Sequence, residues 1–125
     1  MSITCSDLIA LANRLTAGTD EVDFRSGISR GYYAAYHHLC AWESQLPAPG
    51  VNRGPAGGCH QQLVNRLNNP APECSPDQKK LSRILSAMIN HAKTKRHAAD
   101  YELSETIDQQ SAIQSVTQAQ QILSK

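Results

Sequence analysis

At 125 residues the chain is long enough to bury one core of its own and reads as a single domain over 1–125. A formal net charge of +1 excludes a global field that would draw in nucleic acid or an anionic membrane, so any basic site has to be local. There is no apolar run of about 18 residues to cross a membrane, and the N-terminus lacks the basic segment and apolar run of a signal peptide. With four cysteines and no C-x-x-C pair, the expectation is a cytoplasmic protein whose thiols are reduced and mostly buried.

Residues 6–16 read as the first helix. Ser6 is its expected N-cap, Asp7 sits against the positive end of the dipole, and Leu8, Ile9, Leu11, Ala12 and Leu15 form a broad apolar stripe that Gly18 stops. The second helix starts near Thr19 or Asp20, with Asp20, Glu21 and Asp23 in its first turn, and runs towards Leu46, ahead of Pro47 and Pro49. Phe24, Ile28, Gly31, Tyr32, Ala35, Leu39 and Trp42 recur on it at the i, i+3, i+4, i+7 spacing of a core stripe. The other side carries Ser26, Arg30, Tyr33, Ala34, His37 and Ala41. Small and aromatic residues around an Arg and a His are not a solvated face, and they predict a partner subunit or a ligand there. Gly27 and Gly31 each cost a helix about 1 kcal/mol relative to Ala, which predicts close approach of another backbone.

Residues 47–58, PAPGVNRGPAGG, have no hydrophobic period and predict a mobile loop. A short third helix follows over Cys59–Asn68, with Leu63, Val64 and Leu67 inward. Ser75 and Pro76 are a start signal for the fourth helix, which runs to Ala99 or beyond with Leu81, Ile84, Leu85, Met88 and Ala92 as its core stripe. Lys93, Lys95, Arg96 and His97 then arrive together, Lys95 on the continuation of the apolar face. Either the helix has passed the core there or the cations line a site. Ser104 is expected to cap a fifth helix that buries Ile107, Ile113, Val116, Ala119, Ile122 and Leu123. Nothing alternates as a strand does, so the fold class is an all-α bundle of about five helices.

Three constellations could carry chemistry. Arg30, Tyr33 and His37, at i, i+3, i+7, share one stripe. An Arg offers a planar fork to phosphate and a His moves protons near neutral pH; the alternative is a packed face with the Arg paired to a carboxylate. Arg96 and Asp100, four apart, can pair, and with a buried Tyr101 hydroxyl they would pin the end of the fourth helix against the second. His60 with Arg53 borders the glycine-rich loop, which lacks the Lys-Ser/Thr ending of a phosphate-binding loop. Cys59, His60 and Cys74, or His37 and His38 with His91 or His60, lack the close ligand pairs of zinc sites and the E-x-x-H of di-iron bundles, so no metal and no cofactor is expected.

Arg25-Ser-Gly-Ile-Ser-Arg30-Gly-Tyr32-Tyr33-Ala-Ala-Tyr36-His37, with the later Arg96-His-Ala-Ala-Asp100-Tyr101, resembles the HEPN domain, in its small prokaryotic branch with R-x-x-x-S-R-x-Y-Y-A and R-x-x-A-D-Y elements. The resemblance implies a HEPN-like helical bundle that commonly dimerises. Many members are ribonucleases or toxins paired with a nucleotidyltransferase-like antitoxin; others only bind nucleotides or partners. The nuclease members carry R-x4-6-H on a late helix, and here seven residues separate Arg83 from His91. Arg53-x6-His60 fits the spacing in a loop, and Arg30-x6-His37 fits it on the second helix. On this resemblance the expected activity is metal-free RNA binding or cleavage, with Arg30 and His37 first, Arg96 as phosphate ligand, and Arg25, Tyr33, Asp100 and Tyr101 binding or positioning. The alternatives are a non-catalytic homodimeric module, in which Gly27, Gly31, Tyr33 and Ala34 are dimer contacts and Arg96-Asp100-Tyr101 a lock, and a nucleotide-binding bundle using Arg25, Arg30 and Arg96.

Overall fold

The computed structural model describes residues 2–125 and, among them, contains five helices and no strand: α1 (Cys5–Thr16), α2 (Glu21–Ser44), α3 (Cys59–Asn68), α4 (Pro76–Tyr101) and α5 (Gln109–Leu123). The bundle is built around α2. Its stripe of Phe24, Ile28, Gly31, Tyr32, Ala35 and Leu39 is buried as the spacing predicts, with Trp42 half-buried at the rim. The two glycines do different jobs. At Gly27, α1 lies so close that an added Cβ would stand 3.1 Å from the Ala12 carbonyl oxygen and 2.6 Å from Thr16 Cγ2. At Gly31 the nearest atoms, from Val116 and Ala119 of α5, would be 3.6 Å away, an ordinary contact. Gly27, Gly31 and Ala34 are therefore buried against this chain's own helices and cannot serve a second subunit as contacts.

Three of the helix starts, those of α1, α4 and α5, follow side-chain chemistry. Thr4, not Ser6, caps α1: Asp7 N–H donates to Thr4 Oγ1 at 3.2 Å and Thr4 N–H to Asp7 Oδ2 at 2.8 Å. That reciprocal pair satisfies two amides where Ser6 would satisfy one. Ser75 caps α4 as expected, in the same reciprocal arrangement with Gln78. For α5 the cap is Asp108 rather than Ser104, with the Ser111 amide donating to its carboxylate at 2.8 Å and holding its pKa below the usual value. Gly18 does not end α1 through a left-handed turn, since Gly54 alone among the described glycines has positive φ. Instead the Gln109 amide donates to the Thr16 and Gly18 carbonyls, at 3.0 and 3.1 Å, and closes the end of α1 from α5.

Two expected core residues are misplaced. Ile84 is 43% and Ile113 46% exposed. The face of α4 that turns inward carries Ser82 and Ser86, whose hydroxyls donate to the Leu67 and Val64 carbonyls of α3 at 2.6 and 2.8 Å. Buried serines with a carbonyl to bond are satisfied, and they rotate the helix so that Leu85 and Ile89 take the core and Ile84 faces out. Loop 47–58 is not free. Buried Asn65 donates to Asn52 and to the Pro55 carbonyl, both at 2.9 Å, and Val51 N–H donates to the Asn69 carbonyl. The cysteines are unpaired, but only Cys74 is buried and Cys59 is exposed, contrary to the expectation of mostly buried thiols.

Arg25 closes the far end of α4. Its guanidinium donates to the carbonyls of Ala98, Ala99 and Glu102, at 3.2, 3.0 and 3.3 Å, and to that of Glu105. The Ala99 carbonyl is one that the helix C-terminus leaves without a backbone partner, while those of Ala98 and Glu102 accept the guanidinium in addition to the Glu102 and Glu105 amides. Arg25→Ala should lower stability by about 1–2 kcal/mol, read as a shift of the urea midpoint, with faster amide exchange in the turn after Tyr101.

Candidate functional site

The site grows from the three tyrosines of α2. Tyr32 points into the core, while Tyr33 and Tyr36 stay at its edge. On them α3 lays His60, with ring centroids 4.5 Å from Tyr36, 5.4 Å from Tyr32 and 5.9 Å from Tyr33. His60 Nδ1 stands 2.8 Å from the Tyr32 hydroxyl oxygen. Burial, reinforced by the charges of Arg96, Lys93 and His37, holds the His60 pKa below the usual histidine value. Burial also pushes the Tyr32 and Tyr36 phenols up, so both keep their protons throughout the physiological range. The bidentate pair of Arg66 with Glu43, at 2.8 and 3.0 Å, fastens α3 to α2 below this cluster.

From α4 comes Arg96, whose side chain is only 16% exposed. Nη2 donates to the Tyr33 hydroxyl at 2.9 Å, and Nε stands 2.8 Å from Asp100 Oδ2. The Nε–H is not aligned with that oxygen, so the contact is an ion pair and the buried Nε lacks a hydrogen-bond acceptor. Ser29 donates to the same carboxylate oxygen at 3.3 Å. Burial disfavours the Arg96 charge, but Tyr33, Asp100, Tyr101 and Tyr32 together outweigh it and hold the guanidinium charged. Its central carbon lies 5.3 Å from the Tyr33 ring centre, 5.5 Å from that of Tyr101 and 5.8 Å from that of Tyr32, within cation–π range. Arg96 and Asp100 thus pin α4 to α2, as their spacing implies. The hydroxyl in the lock, however, is that of Tyr33. Tyr101 is 62% exposed and stacks near His97 at 5.0 Å, where a buried hydroxyl was expected.

Arg30 and His37 are exposed on either side of Tyr33. The Arg30 guanidinium carbon lies 5.8 Å from the Tyr33 ring centre, and the His37 ring 6.4 Å from it. No carboxylate pairs with Arg30 among the described residues, which removes the alternative of an ion-paired structural arginine. The stripe read from the sequence therefore exists, and Tyr33 ties it to Arg96. Arg25 stands apart, as the cap of α4. Arg53 belongs to the loop, and the aromatic and hydrogen-bond partners of His60 are tyrosines.

Beside this cluster opens a cleft of about 600 Å³ between the start of α3 and the last turns of α4. His60 and Gln61 form one wall, and Lys93, Lys95 and Arg96 the other, with Glu102 and Glu105 at the far rim. The Lys93 ammonium donates to the Gln61 side-chain oxygen across it. Lys95 lies on the wall, so these cations line a concavity. Among the described residues no group of three or more His, Cys, Asp or Glu side chains is placed to hold a metal ion, and no helix is long and apolar enough to cross a membrane. The Tyr32–His60 contact escaped the sequence reading: Tyr32 has the spacing of a core residue, and nothing in the chain announces that the start of α3 folds onto it. Comparison with family models, with curated proteins and with solved structures finds no match to the chain.

Proposed function

We propose that the protein is a HEPN-like bundle that binds RNA on the face shared by α2, α3 and α4 and cleaves it without a metal, as a homodimer within a toxin–antitoxin or defence-type module. The observation that carries the reading is the exposed pair Arg30 and His37, neither of them ion-paired among the described residues, flanking Tyr33 beside a cleft walled by Lys93, Lys95 and Arg96. Metal-free cleavage needs a base for the ribose 2'-hydroxyl and a cation at the scissile phosphate. His37 and Arg30 have those chemistries and the exposure to meet a polymer, and the neighbouring tyrosine rings offer faces to bases. The dimer and a nucleotidyltransferase-like antitoxin partner rest on the resemblance of the two motifs.

The test is an RNase assay with the purified chain. Arg30→Ala with His37→Ala should lower turnover by at least about a hundredfold. Both positions are exposed, so the double variant should keep its denaturation midpoint within about 0.5 kcal/mol of the parent. Unchanged turnover in the double variant removes these two residues from the mechanism. Absence of both RNA loss and RNA retention by the parent chain leaves the interaction module, for which the Arg96–Tyr33–Asp100 lock is the structural support.

A further inference from the structure

We infer that His60 is held by Tyr32 as a neutral imidazole with its proton on Nε2, and that this N–H, with Lys93 and Arg96, forms a subsite for a phosphate group in the cleft. The inference deepens the RNA reading and rests on it. It assigns His60 a donor's role, distinct from that of His37.

Tyr32 is 2% exposed, and among the described residues the only hydrogen-bonding atom its hydroxyl meets is His60 Nδ1, at 2.8 Å. A buried hydroxyl whose proton has no acceptor loses the full cost of its desolvation. The phenol therefore donates, and Nδ1 has to be the bare, accepting nitrogen. In a neutral imidazole the proton is then on Nε2, the other edge of the ring. Protonating Nδ1 would set two donors against each other, and the ring already shares its surroundings with Arg96 and Lys93 from α4 and His37 from α2. So His60 does not serve as a general base while the Tyr32 bond stands: its free nitrogen is a donor. His60 lines the cleft together with Lys93 and Arg96. A fixed N–H beside two cations suits a phosphate oxygen, whether on a polynucleotide or on a free phosphate.

Imidazole nitrogen spectra of the parent chain read the tautomer directly, without any variant. The expected result is a bare Nδ1 and a protonated Nε2 in His60, with Tyr32→Phe loosening that preference. A short 2'-O-methyl oligoribonucleotide, which cannot be cleaved, should shift the His60 signals. His60→Ala should weaken its binding about tenfold, as for one hydrogen bond to a charged group. His60→Gln, whose amide N–H stands near the position of Nε2–H, should bind within about twofold of the parent. A proton on Nδ1, or a Gln variant as weak as the Ala variant, overturns the inference. Binding that leaves the His60 signals unmoved overturns it and spares the RNA reading. If the oligonucleotide does not bind but inorganic phosphate shifts His60, the subsite stands and the RNA reading falls. If neither binds, both fall.

Discussion

Gly27→Ala should destabilise the chain, whereas Gly31→Ala, four residues further along the same helix, should stabilise it. Both substitutions gain about 1 kcal/mol of helix propensity, so the sign is decided by what the new methyl group meets. At position 27 it would stand 2.6 Å from Thr16 Cγ2 and 3.1 Å from a backbone oxygen of α1. Thr16 cannot swing aside cheaply, because its hydroxyl donates to the Ala12 and Asn13 carbonyls at 3.1 and 3.3 Å. Relief requires α1 to back away from α2 along its length. Overpacking costs about 1–3 kcal/mol, and two contacts this short put the cost at about 2–3 kcal/mol, so after the propensity gain the net loss for Ala is about 1–2 kcal/mol and for Gly27→Val about 3 kcal/mol. At position 31 the methyl lands 3.6 Å from Val116 and Ala119, and the propensity gain survives. Urea midpoints of the three variants check this. A Gly27→Ala chain as stable as the parent would mean that α1 does not sit so close.

Helix existence and order were legible because hydrophobic period, Pro and Gly placement and capping residues all point the same way. The start of α4 at Ser75-Pro76 and the limits of α3 are examples. Apart from the α1 cap, where Thr4 wins over Ser6 by a local bond, the misreadings at Ile84 and Ser104 share a physical cause: each depends on a contact between elements. Ile84 has the spacing of a core residue and loses its place because α3 offers carbonyls that Ser82 and Ser86 can bond. Ser104 has cap chemistry, but Arg25 and Glu21 hold the turn after α4 in another path, and Asp108 lies where α5 begins. In the site, the Arg30–Tyr33–His37 stripe and the Arg96–Asp100 pair were readable because each lies within one helix, where spacing alone sets neighbours. Tyr33 against Arg96 and Tyr32 against His60 join different helices, and a spacing rule has no access to them.

Arg96→Ala should be the most damaging single change in the site, and its damage should be to the fold. The substitution removes the only cation paired, among the described residues, with Asp100, whose side chain is 26% exposed, and the donor to the Tyr33 hydroxyl. It also removes the guanidinium stacked among the rings of Tyr32, Tyr33 and Tyr101. Breaking a fully buried pair by deleting one partner costs about 3–5 kcal/mol; with this much exposure the loss should be about 2–3 kcal/mol. Arg96→Lys should recover little, since an ammonium cannot lie flat among the rings while reaching both oxygens. Asp100→Asn should cost less, about 1 kcal/mol, because its amide oxygen can still accept from Ser29. The double variant Arg96→Ala, Asp100→Asn should be more stable than the sum of the single losses implies, by about 1 kcal/mol, because no carboxylate is then left without its cation. Additive losses would show that Arg96 acts by packing alone. The series also bears on any activity measured. Arg30 and His37 can be removed from a standing fold, whereas an Arg96 variant reports on catalysis only after its folded fraction is known.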